Sequence, residues 1–236
     1  MPTVAIGCFH EHLPDVTPDC AIVGVDVIRA TTTAVTAVTI GRRLYPAGSI
    51  EAAVRLAADL DRPVLAGELG GVQPYGFDMQ NSPTEVHALE PSTRPIILLS
   101  TSGTRLIAEA ATRGTCHVSC LRNATAEGTH LARLGRDVVI LGADSRGEFR
   151  EEDQLCAARI ARVLVEAGHE IADRATDDVL ARWGDAPDDS FLDGRSARYL
   201  RDTGQGHDLA FVLEHVDDLT AVFATERGEV RELERA

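Results

Sequence analysis

Short runs of continuous apolar residues alternate along this chain with longer stretches in which apolar positions recur every three or four residues. The first kind predicts strands buried on both faces, the second amphipathic helices. Val4 to Cys8 is the first run, and a Pro-containing loop from His10 to Cys20 follows it. The next strand, Ala21 to Val25, ends at Asp26, passes Arg29 and meets Thr31, Thr32 and Thr33, where a helix begins that Gly41 stops. Brief strands at Arg43 to Tyr45 and Pro63 to Gly67 flank a helix from Ser49 to Leu60, with Ser49 as N-cap and Ala52, Val54, Leu56, Ala57 and Leu60 on its apolar face.

Glycines and prolines make Leu69 to Thr84 a long irregular loop, a type that in compact domains is functional or mobile. Glu85 to Leu89 reads as helix and Pro95 to Ser100 as a second buried strand. Thr101 to Arg105 then leads into a helix through Ala111, repeating the earlier order of strand, hydroxyl-rich loop, arginine and helix. Thr115 to Leu121 and Asp137 to Leu141 are strands on either side of a helix from Ala124 to Leu134. After a loop from Gly142 to Arg150, Glu151 to Gly168 is a long amphipathic helix with acids in its first turn, where the helix dipole favours them. Asp173 to Arg182, Ser196 to Leu200 and Asp208 to Glu214 read as helices, with an acidic loop from Trp183 to Asp193. Thr220 to Leu233 reads as strand pieces with a charged tail. This alternation predicts an α/β fold, a three-layer α/β/α arrangement around a largely parallel or mixed sheet. Residues 1–236 are read as one domain, with a division into two lobes near 115–123 as the variant.

Composition narrows the function. At 236 residues the chain can bury a sizeable core, and with 4% aromatics that core is built from Val, Leu, Ile and Ala. All 23 basic residues are arginine, which removes a phosphate-binding lysine and a Schiff-base lysine. The formal net charge of −14 argues against nucleic acid and against anionic membranes, and leaves a small anionic substrate only if local arginines reverse the field in a pocket. Five cysteines do not form a disulfide framework, and neither a leader-like N-terminus nor a membrane-length apolar run is seen, so the expected location is cytoplasmic. A homo-oligomer is compatible with all of this.

Ligands of open α/β sheets bind at the carboxyl ends of the strands, so the loops Asp26 to Thr33, Ser100 to Arg105 and Ala143 to Asp153 are expected to converge. Arg29 and Arg105 each offer a guanidinium fork for anionic oxygens. The helix-start amides and hydroxyls of Thr31, Thr32 and Thr33, together with Ser100, Thr101, Ser102, Gly103 and Thr104, suit a phosphate. Asp26, Glu68, Asp78 and Asp153 are hard oxygen ligands of the kind magnesium takes, although an acid of this kind taken singly is more often a cap or a solvated loop acid. His10-Glu11-His12 has zinc-ligand spacing or is a surface pair. Cys116 and Arg122 have the Cys-x5-Arg spacing of tyrosine-phosphatase-type enzymes, but the residues between them lack glycine and read as strand.

VDVIRATTT (Val25 to Thr33), AGE (Ala66 to Glu68), GFDMQNSP (Gly76 to Pro83), STSGTR (Ser100 to Arg105), Asn123 and EED (Glu151 to Asp153) together resemble the 2-phosphosulfolactate phosphatase family, with an echo at Asp173 to Ala175, Gly204 and Asp208. The resemblance implies a magnesium-dependent hydrolase converting 2-phospho-3-sulfolactate and water to 3-sulfolactate and phosphate, a coenzyme M biosynthesis-type reaction, or acting on a related small phosphate ester. It adds Asn81 and Asn123 to the substrate-binding candidates and Asp26, Arg29 and Arg105 to the catalytic ones. Asp26 would serve as metal ligand, as nucleophile or in orienting water. This chain departs from the family pattern with Ser102 in place of Asn and Gln80 in place of Gly. A non-catalytic anion-binding protein on the same fold is the alternative.

Overall fold

The computed structural model describes residues 1–13, 16–17, 19–144 and 147–233. The expected loops 10–20 and 142–150, and the charged tail, therefore lie partly outside the described residues. Ten strands form one mixed sheet: β1 (Thr3–Cys8), β2 (Ala21–Val25), β3 (Leu44–Ala47), β4 (Val64–Gly67), β5 (Ile96–Leu99), β6 (Cys116–Ser119), β7 (Val138–Gly142), β8 (Glu170–Ile171), β9 (Phe223–Glu226) and β10 (Glu229–Glu232). Their spatial order is β4-β5-β3-β10-β9-β6-β2-β7-β1-β8. Strands β4, β5 and β3 run parallel, as do β6, β2, β7, β1 and β8. The hairpin β9–β10 joins these two blocks through antiparallel pairs with β6 and β3.

Helices cover both faces because the central strands are apolar on both. In β5, Ile96 and Leu98 pack with Ala34 and Val35 of α2 (Ala30–Thr39) and Val86 of α4 (Pro83–His87). Ile97 and Leu99 face the other way, toward Ala53 of α3 (Ile50–Asp59). In β2, Val23 and Val25 meet α6 (Ala124–Leu134) and α7 (Glu151–Glu166), while Ile22 meets Leu106 of α5 (Gly103–Ala110) and Phe9 of α1 (Phe9–His12). The short α1 occupies the start of what the sequence reads as loop. Buried Phe9 anchors that turn to the core, a tertiary contact that local pattern does not reveal.

Helices α8 (Arg174–Trp183), α9 (Arg195–Asp202) and α10 (Gly206–Glu214) complete the fold, with Trp183, Leu200 and Leu209 joining the β1–β2–β7 core. Among the described residues no helix is long and apolar enough to cross a membrane. The short pair β8 is legible only from its register beside Thr3 and Val4, since two exposed residues carry no pattern.

Candidate active site

The three loops predicted to converge do so, and Asp26 is their meeting point. Its backbone N–H donates to Thr31 Oγ1 at 2.9 Å, and its carboxylate accepts the amides of Ala30 and Gly103, the first residues of α2 and α5. Gly103 must lack a side chain, because a Cβ there would overlap Asp26 Oδ2 and Ala30 Cβ. The third loop is tied in by Ser102 Oγ, which donates to the Asp144 carbonyl at 2.7 Å, and by Val27 N–H, which donates to Asp153 Oδ1 at 2.7 Å.

A cavity of about 230 Å³ is lined by Asp26, Ile28, Arg29, Glu68, Gly70, Gly71, Asn81, Thr101, Ser102, Arg150, Arg195, Ser196, Tyr199 and Leu200. Glu68 is held by Thr101, whose N–H and hydroxyl donate to it at 2.7 and 2.9 Å, and by the Gly71 amide at 2.6 Å. Tyr199 Oη donates to the Gly71 carbonyl at 3.2 Å and so fastens α9 over the same loop. Arg29 is buried, with Nη1 donating to the fully buried Asp208 at 2.6 Å and Nη2 to Gln80 Oε1 at 3.4 Å. Two of its five donors are thus fixed, which aims the fork and leaves others for a ligand.

Burial sets the electrostatics. Asp26 is pushed up to about 7 by desolvation and by Glu68, against the pull of the Ala30 amide. Glu152 is also raised to about 7 by burial, opposed by a hydrogen bond with Ser196. Asp153 lies well above the usual carboxylate range because of burial and the adjacent Glu152 and Asp26. Glu152 Oε2 and Asn81 Oδ1 are buried with no hydrogen-bond partner among the described residues. Of these, Asn81 lines the cavity, where its free acceptor can meet a donor from a ligand or water. Asp26 and Glu68, both facing the cavity, fit magnesium, which takes one or two carboxylates and completes its shell with water and substrate oxygens. Among the described residues, three or more His, Cys, Asp or Glu side chains do not come together as a metal-binding group.

Other predicted residues lie elsewhere. The hydroxyls of Thr31, Thr32 and Thr33 donate to the carbonyls of Asp26, Val27 and Asn81, so all three threonines build the loop instead of lining the cavity. Ser100 and Thr104 bond each other, with Thr104 N–H donating to Ser100 Oγ at 2.9 Å. Asn123 Oδ1 accepts the Cys120 amide, and Asp78 accepts the Leu65 amide at 2.8 Å. Arg105 points to solvent and pairs with Glu109 at 2.6 Å, because its position in α5 falls on the exposed side. Arg105→Ala is accordingly expected to change kcat/KM for any phosphate ester by less than about threefold, as an exposed i,i+4 pair is worth only a few tenths of a kcal/mol. Steady-state kinetics checks this.

The His10 ring bonds Asp144 and the His12 ring accepts the Cys8 amide, so the two do not share a metal geometry. The Cys116 thiol is pushed up to about 12 by burial and is no nucleophile. Sequence reasoning missed Arg150, Arg195, Ser196 and Tyr199. Asp153, predicted as a metal ligand, is buried, accepts the Val27 amide and does not line the cavity, and sequence reasoning gave Glu152 no role beyond the helix dipole and the family signature.

The fold and the cavity define an α/β protein with buried carboxylates and a buried arginine gathered around one cleft. The sequence profile of the 2-phosphosulpholactate phosphatase family matches residues 8–227, and the chain belongs to that family. It is 38% identical over 159 residues to a probable 2-phosphosulfolactate phosphatase of Carboxydothermus hydrogenoformans, covering 66% of each chain. With the protein of the same description from Symbiobacterium thermophilum it shares 41% over 143 residues, covering 59% of this chain and 61% of the relative. The Deinococcus radiodurans relative, similarly described, is 34% identical over 198 residues, covering 82% of this chain and 78% of its own. The aligned region thus spans slightly less than two thirds of the first two relatives.

Proposed function

We propose that this cleft hydrolyses the phosphate monoester of a small, multiply charged acid, 2-phospho-3-sulfolactate, with magnesium held by Asp26 and Glu68. The observation that carries the reading is the placement of these two acids against Arg29 in one cavity. Arg29 is already balanced by Asp208, so a phosphate next to Asp26 and Glu68 needs further positive charge. A magnesium ion held by Asp26 and Glu68 would supply that charge and Lewis-acid polarisation of the phosphoryl group.

The chain's own groups do the rest. The two amides on Asp26 occupy two of about four acceptor positions of its carboxylate, leaving others for the cation and for the attacking water. The Arg29 donors that Asp208 and Gln80 do not take meet the equatorial oxygens, where charge is spread in the transition state, while the hydroxyls of Thr101 and Ser102 stay on Glu68 and the Asp144 carbonyl. Asn81 Oδ1 accepts from a ligand or a water in the cavity. Names of the relatives support the substrate; the three-anion character of the compound suits a cavity lined by Arg29, Arg150 and Arg195.

The test is phosphate release from 2-phosphosulfolactate with magnesium, its loss on chelation and its return on adding the metal. Release from neither this compound nor a panel of small phosphate monoesters would overturn the reading, and tight phosphate binding without turnover would make the protein a binder.

A linked prediction concerns stability. Asp26 titrates at about 7 when folded against 3.8 as a free side chain, and Glu152 at about 7 against 4.5. Between these values the folded state holds more protons than the unfolded one, so stability falls as pH rises from about 4 to about 7 and levels above. Metal-free protein should show a melting temperature lower at pH 8 than at pH 5.5. Magnesium should recover it at pH 8 and do little at pH 5.5.

A further inference from the structure

Glu148 stands between two cavity-lining arginines. Its Oε2 accepts from Arg150 Nη1 at 2.6 Å, and its Oε1 from Arg195 Nη1. Arg150 is buried at the N-cap of α7, while Glu148 is 45% and Arg195 54% exposed. Both guanidiniums line the cavity, whereas Glu148 does not. A carboxylate bridging two arginines has the geometry these forks would give to the carboxylate or sulfonate of a ligand. Because Glu148 is half in water, its side chain can swing out and be solvated at small cost, while buried Arg150 stays in place.

Resting on the reading of the cleft given above, we propose that Arg150 and Arg195 form the subsite for the non-reacting carboxylate or sulfonate of the substrate, and that Glu148 is an internal competitor exchanged for it on binding. Glu148 cancels one of the two positive charges when the subsite is empty and sets a threshold: a phosphate ester with no second anionic group gains nothing from displacing it. A ligand with a second strong anion at the right distance does. Glu148 and Arg195 are therefore specificity-determining residues, and neither touches the reacting phosphoryl group.

The test reads binding, separately from turnover. Sulfoacetate, a carboxylate–sulfonate dianion without phosphate, is titrated calorimetrically into magnesium-loaded wild type, Glu148→Gln, Glu148→Ala and Arg195→Gln, with inorganic phosphate as the comparison. Both Glu148 variants are expected to bind sulfoacetate several-fold more tightly than wild type. Arg195→Gln should bind it about tenfold or more weakly, the worth of one charge-assisted pair, and lose less for phosphate. A merely structural salt bridge would give no gain from removing Glu148. Unchanged or weaker sulfoacetate affinity in both Glu148 variants, with circular dichroism showing them folded, overturns the proposal. Failure of the phosphatase reading would appear instead as absent phosphate release with these affinities shifted as stated.

Discussion

Asp26→Asn is expected to lower kcat/KM for phosphate release by ~10²-fold or more, the scale seen when one preorganised charge contact to a transition state is removed. The substitution keeps the size of the side chain and one acceptor oxygen, so one of the amides of Ala30 and Gly103 keeps its partner. What it removes is the negative charge that holds the cation against Glu68. Magnesium affinity, read by calorimetry, should fall together with activity, and raising the metal concentration should restore part of the rate. The same variant should flatten the dependence of metal-free stability on pH, since one of the groups raised to about 7 is gone. Wild-type turnover in the Asp26→Asn variant would remove Asp26 from the mechanism.

The second large effect is on folding. Asp208 is fully buried and accepts from Arg29 Nη1 at 2.6 Å, from Ser82 Oγ at 2.6 Å and from the Thr84 amide at 3.3 Å. Asp208→Ala leaves the Arg29 guanidinium buried without its counter-charge, and breaking a buried pair on one side costs about 3–5 kcal/mol. Chemical denaturation should show a midpoint shift of that size. Asp208→Asn keeps the bonds from Ser82 and Thr84 and should recover part of the stability. It should not recover activity, because Arg29 is then free to rotate toward Glu68. If Asp208→Ala cost under about 1 kcal/mol, α10 would not be the support that aims Arg29.

The strands and their loops are legible because each is a short apolar run with polar punctuation: AIVGV before Asp26 and IILL before Ser100 can hardly be anything else. The meeting of the loops after β2 and β7 follows from where parallel strands place their carboxyl ends, whereas the loop after β5 belongs to the block that runs the opposite way, and its reach to Asp26 through Gly103 is not legible in the sequence. Which face of a turn a residue takes does not follow. Arg29 and Arg105 occupy matching places in two similar motifs, yet Arg29 sits at the N-cap of α2 and is drawn inward by Asp208, 179 residues away, while Arg105 lies two residues into α5 and meets Glu109. The threonines of ATTT read as ligand donors because hydroxyls at a helix start are chemically ambiguous, and here the nearest carbonyls claim them. Arg195, Ser196 and Tyr199 come from a helix whose local pattern says only that it is amphipathic. Its position over the cavity depends on Leu200 reaching the core, a contact that no local signal announces.

The hairpin of β9 and β10 has a bearing on how the polypeptide comes off the ribosome. Strands β3 and β6 each have one side that only residues 223–232 can pair. Until those residues emerge, both parallel blocks carry an unpaired hydrogen-bonding rim in the middle of the future sheet, on strands that are buried in the finished fold. Nascent chains of this protein are therefore exposed to mispairing for most of their synthesis, and the segment farthest from the chemistry in sequence is the one that makes the two halves a single scaffold.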